Sequence, residues 1–356
     1  MKTRISALLA VLLLALPLGA ERIAELPELV KPTALTFAGG RLYVMDEECV
    51  HIYGLNPFRH IRTFGQRGQG PGEFNSPPFV VVEPGRLWVQ TMGRLMTFTW
   101  EGEFLEDTKL PFLYFHFFEP LHRIGENYAG MPLKPQDEKP NIVQVGRIYG
   151  PDFKAVKDFY RFGAPMVPPP PRGPGAKPDR VEMELISDCI GLGTAEGKIF
   201  VGDTRKGFLI AVFDGNGEPL KEIRLDEPPL KVPESYKDGI WNELRKSPNW
   251  ERTRTYFDYK MKDKFPAFSS FKVGDGRIYL TTFASRDGRY EFIVMDLEGR
   301  ILRRDFVFPF DPARRGLSTV FVPTHTQYAV GDGRIYYLTL DEDRAVYTLH
   351  SVEIGM

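Results

Sequence analysis

The feature that most constrains this chain is a short pattern, Gly, basic, aliphatic, aromatic, aliphatic, that recurs along it. It reads "GRLYV" from Gly40, "GRLWV" from Gly85, "GKIFV" from Gly197 and "GRIYL" from Gly276, and a further copy, "GRIYY" from Gly333, ends on an aromatic. A degenerate copy, "GENYAG", starts at Gly125. Short apolar stretches such as "TALTFAG", "PFVVVEP" and "QYAVGD" precede most copies, and the clear copies are followed by another apolar run such as "FLIAVFD" or "EFIVMDL". Several then continue through a tight turn into one more strand-like segment, as in "WEGEFLEDTKL" and "DLEGRILRRDFVF". One unit is therefore strand, turn, strand, loop, strand, turn, strand. Self-similarity at roughly 46 residues per unit, two insertions set aside, is the period of a propeller blade. The pattern predicts an all-β, six-bladed β-propeller of four-stranded antiparallel blades. The apolar runs are nearly continuous rather than alternating, as expected where neighbouring blades cover both faces of each sheet. Aromatic residues make up 13% of the chain, which suits sheets that interlock through large side chains.

The last unit supplies only three strands, ending in "AVYTLHSVEI", while "ERIAELPEL" near the start has no unit of its own. That segment is expected to become the fourth strand of the last blade and close the ring, removing an edge open to aggregation. Between "HIRTFG", the outer strand of the first blade, and "PFVVV", the inner strand of the second, lies a linker with Gly65, Gly68, Gly70, Pro71 and Gly72. It must cross a blade, about three strand spacings or ~14 Å. Glycine permits the positive φ angles of such a loop, and Pro71 restricts it. Phe74 is expected to plug the gap between the two blades. At Phe64, Gly65, Gly68, Gly70, Gly72, Phe74 and Pro77 the linker resembles that of the NHL-repeat propellers, and the whole chain resembles six-bladed propellers of the NHL-repeat and TolB-like, exported bacterial kind. The full linker motif occurs once; the other junctions are degenerate. No zinc-binding module precedes the repeats, so the ligase and RNA-binding roles of some NHL proteins are not implied.

The chain opens "MKTRISALLAVLLLALPLGA", a basic start, an apolar run and small residues before Glu21. That is the pattern of a secretory signal peptide over residues 1–20, giving an exported protein, periplasmic or extracellular. The apolar run is shorter than the roughly 20 residues a membrane span needs, and no cysteine follows it to accept a lipid. The mature chain, 21–356, is read as a single propeller domain without a transmembrane segment, and a monomer is expected. Its formal charge, −1 for the full sequence and lower by two without Lys2 and Arg4, argues against nucleic-acid binding, which needs clustered positive charge. The only cysteines, Cys49 and Cys189, fall in the first and fourth blades, too far apart for a disulfide.

Two insertions, Gly163 to Arg180 and Lys231 to Ala267, both join one blade to the next, so connectivity places both at one mouth of the central channel. The first, "GAPMVPPPPRGPGAKP", reads as an extended polyproline spacer or a docking motif. The second reads as two helices, started near Pro233 and Pro248. Tyr236, Ile240, Trp241 and Leu244 form one apolar face, and Trp250, Phe257 and Met261 the other. Long loops on a rigid scaffold often carry function.

Catalytic signatures are sparse. The six histidines are scattered, with no H-E-x-x-H, no G-x-S-x-G elbow and no Walker loop. "GQRGQGPG" is followed by "EFNSPPF", which cannot open the helix a phosphate loop needs. Asp46, Glu47 and Glu48 read as a solvated turn or a Ca²⁺ site. His116, Asp188 and His325 stand near the starts of three inner strands and would suit a divalent metal or proton transfer if they meet at the mouth. The candidate ligand-binding residues are therefore His116, Asp188, His325, Arg67 and Trp241. The sequence supports an exported, non-catalytic binding or scaffold propeller that engages a protein, peptide or glycan through its mouth-face loops. No cofactor is expected, with a divalent metal left open. The alternative, resting on the fold resemblance alone, is a metal-dependent propeller enzyme of lactonase or lyase type using axial residues.

Overall fold

Each repeat glycine sits in the turn between the first and second strands of a sheet, and six such sheets form a propeller ring. A computed structural model describes residues 20–111, 120–136, 139–163, 180–309 and 328–354. His116, His325, the leader up to residue 19 and almost all of the proline-rich insertion lie outside these spans. Blade 1 runs Pro32–Ala38, Arg41–Asp46, Cys49–Leu55, Phe58–Phe64, and blade 2 runs Phe79–Glu83, Arg86–Thr91, Arg94–Phe98, Phe104–Lys109. Blade 3 has a broken second strand. Asn127–Gly130 and Leu133–Gln136 both pair with Lys139–Tyr149, flanked by His122–Ile124 inside and Ala155–Gly163 outside. Blade 4 spans Ile190–Ala195 to Pro219–Arg224, and blade 5 spans Ser270–Gly274 to Ile301–Phe308. All these neighbours pair antiparallel in sequence order. First strands lie side by side at the junctions of blades 1 and 2, 3 and 4, 4 and 5, and 1 and 6.

The continuous apolar runs have the expected cause. In the strand Arg41–Asp46, Leu42 and Val44 pack with Tyr336 and Leu349 of blade 6. The alternating residues Tyr43 and Met45 pack with Val80, Val89 and Phe98 of blade 2. Each of these four side chains faces a neighbouring sheet, and none is left for solvent. Burying each is worth about 1.5–3 kcal/mol.

Closure follows the sequence reading. Glu21–Leu26 pairs antiparallel with Val346–Glu353, completing blade 6 beyond Arg334–Asp341 and Tyr328–Gly331. Leu26 and Leu29 are buried, and Glu25 meets Arg344 at 2.7 Å. The linker between blades 1 and 2 also behaves as read. Phe74 is 1% exposed, with its ring centroid 6.3 Å from that of Phe64 and 6.2 Å from that of Phe98. Gly65 adopts φ 80°, and a Cβ there would lie 2.1 Å from the Phe74 ring. Arg94 pins the loop by donating to the carbonyls of Glu73 and Gly70, both at 3.0 Å.

The second helix does not form as read. The first helix is Glu234–Lys246, led by Pro233, with Glu234 in its first turn and Arg245 and Lys246 in its last, charges that suit its dipole. After Pro248 only the single turn Trp250–Thr253 is helical, and Phe257–Lys260 is a strand paired in parallel with Val181–Glu184. Its β-branched and aromatic surroundings, "TRTYFDY", favour an extended chain once a partner strand is adjacent. Cys49 and Cys189 are both free thiols. Among the described residues no helix is long and apolar enough to cross a membrane.

Two outcomes follow from the packing. Deleting Glu21–Leu29 unpairs Val346–Glu353 and should abolish soluble, cooperative folding; a truncated protein that melts like the full chain would refute the closure. Gly65→Ala forces both a left-handed alanine and a clash with Phe74. It should lower stability by about 2–4 kcal/mol in urea titration, against a smaller loss of about 1–2 kcal/mol for Gly40→Ala, whose site is spatially open and whose φ is also positive.

Candidate functional site

The blade connectivity puts the crossings, the lead-ins to the inner strands and the turns between second and third strands on one face. A polar residue recurs there, six positions after the repeat glycine: Asp46, Thr91, Asp203, Thr282 and Thr339. The first four are buried. Asp46 accepts hydrogen bonds from the backbone N–H groups of Val30 and Lys31 at 2.7 and 2.5 Å, tying the turn to the lead-in of its own blade. Thr282 donates to Glu291 at 2.7 Å, and Thr339 Oγ1 lies 2.8 Å from His350 Nε2. Neighbouring positions do similar work. Gln90 donates to the carbonyl of Leu121 and accepts from its N–H, and Thr204 Oγ1 accepts from Cys189 N–H. This polar ring was not picked out by sequence reading, although the signal was present in the clear repeats.

The acidic turn Asp46–Glu47–Glu48 is neutralised within the chain. Glu47 pairs with Lys31 and Glu48 with Arg67, each at 3.1 Å. Asp46 Oδ2 lies 3.6 Å from His51 Nε2, which is also 3.4 Å from Cys49 Sγ. His51 Nδ1 lies 2.9 Å from Thr63 Oγ1, which in turn is 3.0 Å from the exposed His60. Burial alone would push His51 down, but Asp46 and Cys49 outweigh it and raise its pKa to about 9. Burial likewise works to raise Asp46 and is outweighed by His51 and the two N–H donors, so its pKa falls below the usual carboxylate range. Asp203 repeats the theme: despite burial, Arg205 and Tyr160 hold its carboxyl low.

Asp188 stands where the sequence placed it, just before the inner strand of blade 4. Its carboxylate accepts from Thr204 Oγ1 at 3.1 Å and from Lys262 Nζ at 2.6 Å. It thereby ties the lead-in of blade 4 to the second insertion. The parallel pair Val181–Glu184 and Phe257–Lys260 does the same through backbone hydrogen bonds. Helix Glu234–Lys246 buries Ile240 and Leu244, with Ile240 packed against Ile186, Val232, Phe265 and Phe283 and Tyr236 edge-on to Phe265 at 5.0 Å. Phe283 belongs to the long second strand of blade 5, Arg277–Arg286, so the helix docks on the ring through a small core of its own.

Trp241 leaves that face. It is half-buried, edge-on to Tyr259 at 6.3 Å, with the Arg245 guanidinium 5.4 Å from its ring centre. Tyr259 also stacks on Trp250 at 5.7 Å. Three aromatic rings and an arginine thus form a half-exposed patch on the second insertion. Arg67 lies in the crossing loop between blades 1 and 2, its side chain 81% exposed. The structure does not bring Arg67, Asp188 and Trp241 into one cluster of mutual contacts. His116 and His325 lie outside the described residues. Among the described residues, no three His, Cys, Asp or Glu side chains are grouped as metal ligands.

No family model and no curated protein matches the chain. Solved structures of similar architecture include a luciferin-regenerating enzyme at 13% identity, covering 95% of this chain and 96% of that one with a TM-score of 0.42. A calcium-binding protein, regucalcin, from Agrobacterium tumefaciens is similar at 11% identity, 96% of each chain and TM-score 0.38. A chain of a mitotic checkpoint complex is similar at 10% identity, 100% and 98% coverage and TM-score 0.44. At these values the fold rests on the strand pairing described above.

The Asp46–His51 pair gives a pH signature. His51 is raised in the folded state, so its contribution is complete below the unfolded histidine value of about 6.5 and is lost as pH climbs through about 9. Asp46 is lowered, so its contribution is lost in acid, as pH falls below the ordinary aspartate range. Urea midpoints measured across the alkaline limb should fall more steeply for the wild type than for His51→Gln. Parallel curves would show that the pair does not titrate this way.

Proposed function

We propose that the protein is an exported, non-catalytic propeller that binds a protein or peptide through the second insertion on its mouth face. The observation that carries this reading is the half-exposed patch of Trp241, Trp250, Tyr259 and Arg245. Tryptophan, tyrosine and arginine are the side chains that dominate binding energy at protein interfaces. Here they are displayed on an element whose anchoring residues, Val232, Ile240 and Phe265, are buried separately. A segment that served only to join blades would need no such display. Of the ligand classes the sequence allowed, a polypeptide suits these rings best, and the insertion, with nine basic and six acidic residues between Lys231 and Lys264, favours a partner with acidic groups. A glycan remains compatible with aromatic rings but uses less of the arginine.

The enzyme reading needs the Asp188 carboxylate available at the axis, and Lys262 and Thr204 occupy its oxygens. Asp188 is better read as a strut for the insertion. The leader supports export, and thereby a partner outside the cytoplasm.

The test is a pull-down from the native envelope or secreted fraction, with the captured partner then titrated against purified variants. Replacing Lys231–Ala267 by a short Gly/Ser linker should leave the ring folded, because each blade makes its main contacts with its neighbours, and should abolish binding. Trp241→Ala and Trp250→Ala should each weaken binding about 10–100-fold with an unchanged melting temperature. Binding that survives the replacement would place the working surface elsewhere. Loss of the folded ring would make the helix part of the core.

A further inference from the structure

In blades 1, 2, 4 and 5 the second strand carries Val44, Val89, Val201 and Leu280, each four positions after the repeat glycine. Their partners on the third strand are His51, Met96, Ala211 and Ile293. Blade 1 thus places an imidazole where three other blades place a buried apolar side chain, and His51 is 6% exposed. A polar group so far from water is costly unless it is paired. Blade 6 also has a histidine at this position, His350, opposite Tyr337. Burial and the nearby Arg22 push its pKa down, which leaves it neutral. His51 moves the other way, to about 9, so both of its ring nitrogens carry protons at neutral pH.

Those two N–H groups point at different partners. Nδ1–H donates to Thr63 Oγ1 at 2.9 Å, and the Thr63 hydroxyl donates in turn to His60 Nε2 at 3.0 Å. Nε2–H has two acceptors near it. Asp46 Oδ2 lies 3.6 Å away, and both Asp46 oxygens already accept backbone N–H groups, from Val30 and Lys31. Cys49 Sγ lies 3.4 Å away, within hydrogen-bonding reach for sulfur. Thr63 therefore orients the ring, and the ring aims a proton at the thiol. Cys49 itself is free and partly exposed. The other charges around the turn cancel in pairs, Lys31 with Glu47 and Arg67 with Glu48, which leaves Asp46 facing His51.

A buried, oriented imidazolium beside an accessible thiol is the arrangement of an activated cysteine nucleophile. The cation favours the thiolate, and the thiolate is the form that reacts. Asp46 keeps its structural task at the lead-in of blade 1, while its charge helps to hold the proton on His51.

We propose that Cys49 is a thiol-exchange site for low-molecular-weight disulfides of the oxidised-glutathione class, activated by His51. The Cys49 sulfur attacks one sulfur of RS–SR. A Cys49–SR bond forms as the RS–SR bond breaks, and the proton given up by Cys49 ends on the leaving thiol, RSH. One disulfide is consumed and one is made, so no further oxidant is needed. The product is a mixed disulfide at position 49, reversed by excess thiol. The site is built within blade 1 and stands independently of the polypeptide reading.

The probes are oxidised glutathione, read by intact-protein mass spectrometry, and dithiobis(nitrobenzoic acid), read by absorbance. Both are applied to Cys189→Ser, so that only Cys49 reports. At pH 7 Cys49 should react with the aromatic disulfide at least tenfold faster than reduced glutathione does under the same conditions. Oxidised glutathione should add once, and dithiothreitol should remove it. His51→Gln should slow the reaction at least tenfold at pH 7, and the difference should close above about pH 9, where an ordinary thiol ionises unaided. Thr63→Val, which removes the exposed hydroxyl that orients the ring, should slow it severalfold at an unchanged melting temperature. The proposal is overturned if Cys49 reacts no faster than reduced glutathione, or if His51→Gln leaves the rate unchanged or lowers it equally at every pH. Should His51→Gln not fold, an unchanged rate in Thr63→Val overturns it.

Discussion

Every blade of this protein is a sheet with two apolar faces, and that single constraint organises the rest. Tyr43 and Leu42 are adjacent in sequence and both fully buried, yet they serve the interfaces with different neighbours. A sheet of this kind has no stable isolated form, since one face would always meet water. The ring must therefore close, and closure must be tight enough to exclude solvent between the last blade and the first. The chain achieves this by giving its early segment, Glu21–Leu26, to the last blade. Hydrogen bonds of the sheet then link residues from the two ends of the repeat array, and blade 6 cannot form without its first-made strand.

A second constraint follows from the first. Lead-in segments between blades carry backbone N–H groups into partly buried surroundings, where an unpaired donor costs about 1–3 kcal/mol. The recurring polar residues on the mouth face answer this need. Asp46 takes two such N–H groups, Gln90 one and Thr204 one. Their burial, and the low pKa of Asp46 and Asp203, look like marks of a reactive site when considered alone. Their hydrogen-bond partners show a different use: they hold the face in one conformation, from which the insertion projects.

The repeat, the plug at Phe74 and the closing strand were legible in the sequence because each leaves a local signature. Apolar runs mark the strands, left-handed glycines mark the turns, and an orphan strand at one end answers a missing strand at the other. The strand Phe257–Lys260 was not legible, since its partner Val181–Glu184 lies in the other insertion and nothing local announces the pairing. The Asp188–Lys262 pair escaped for the same reason: the sequence places Asp188 correctly before its strand but does not say which loop folds over it. Spacing puts Trp241 on the helix's apolar face together with Ile240 and Leu244, and of these three only Ile240 and Leu244 are fully covered. Helical periodicity gives a stripe, and the width of the docking surface decides which edge of the stripe stays exposed.

Phe153 shows where a repeat protein has room for specialisation. At the interface of blades 2 and 3, Leu110, Leu121, Tyr149 and Trp88 remain buried together, so the interior side of the contact is intact. Phe153 is buried with them, a side chain packed into the contact at a turn where blades 2, 4 and 5 carry a left-handed glycine. Because stability is distributed over neighbouring pairs, one contact can be repacked without disturbing the others. The same logic permits the insertion between blades 4 and 5, which adds a small core without rewriting the ring. In both cases the departure is visible only against the repeat: a phenylalanine where the pattern sets glycine, and a long segment where the pattern sets a short crossing. A residue's place in the repeat, more than its type, is what distinguishes a device from a structural part in this fold.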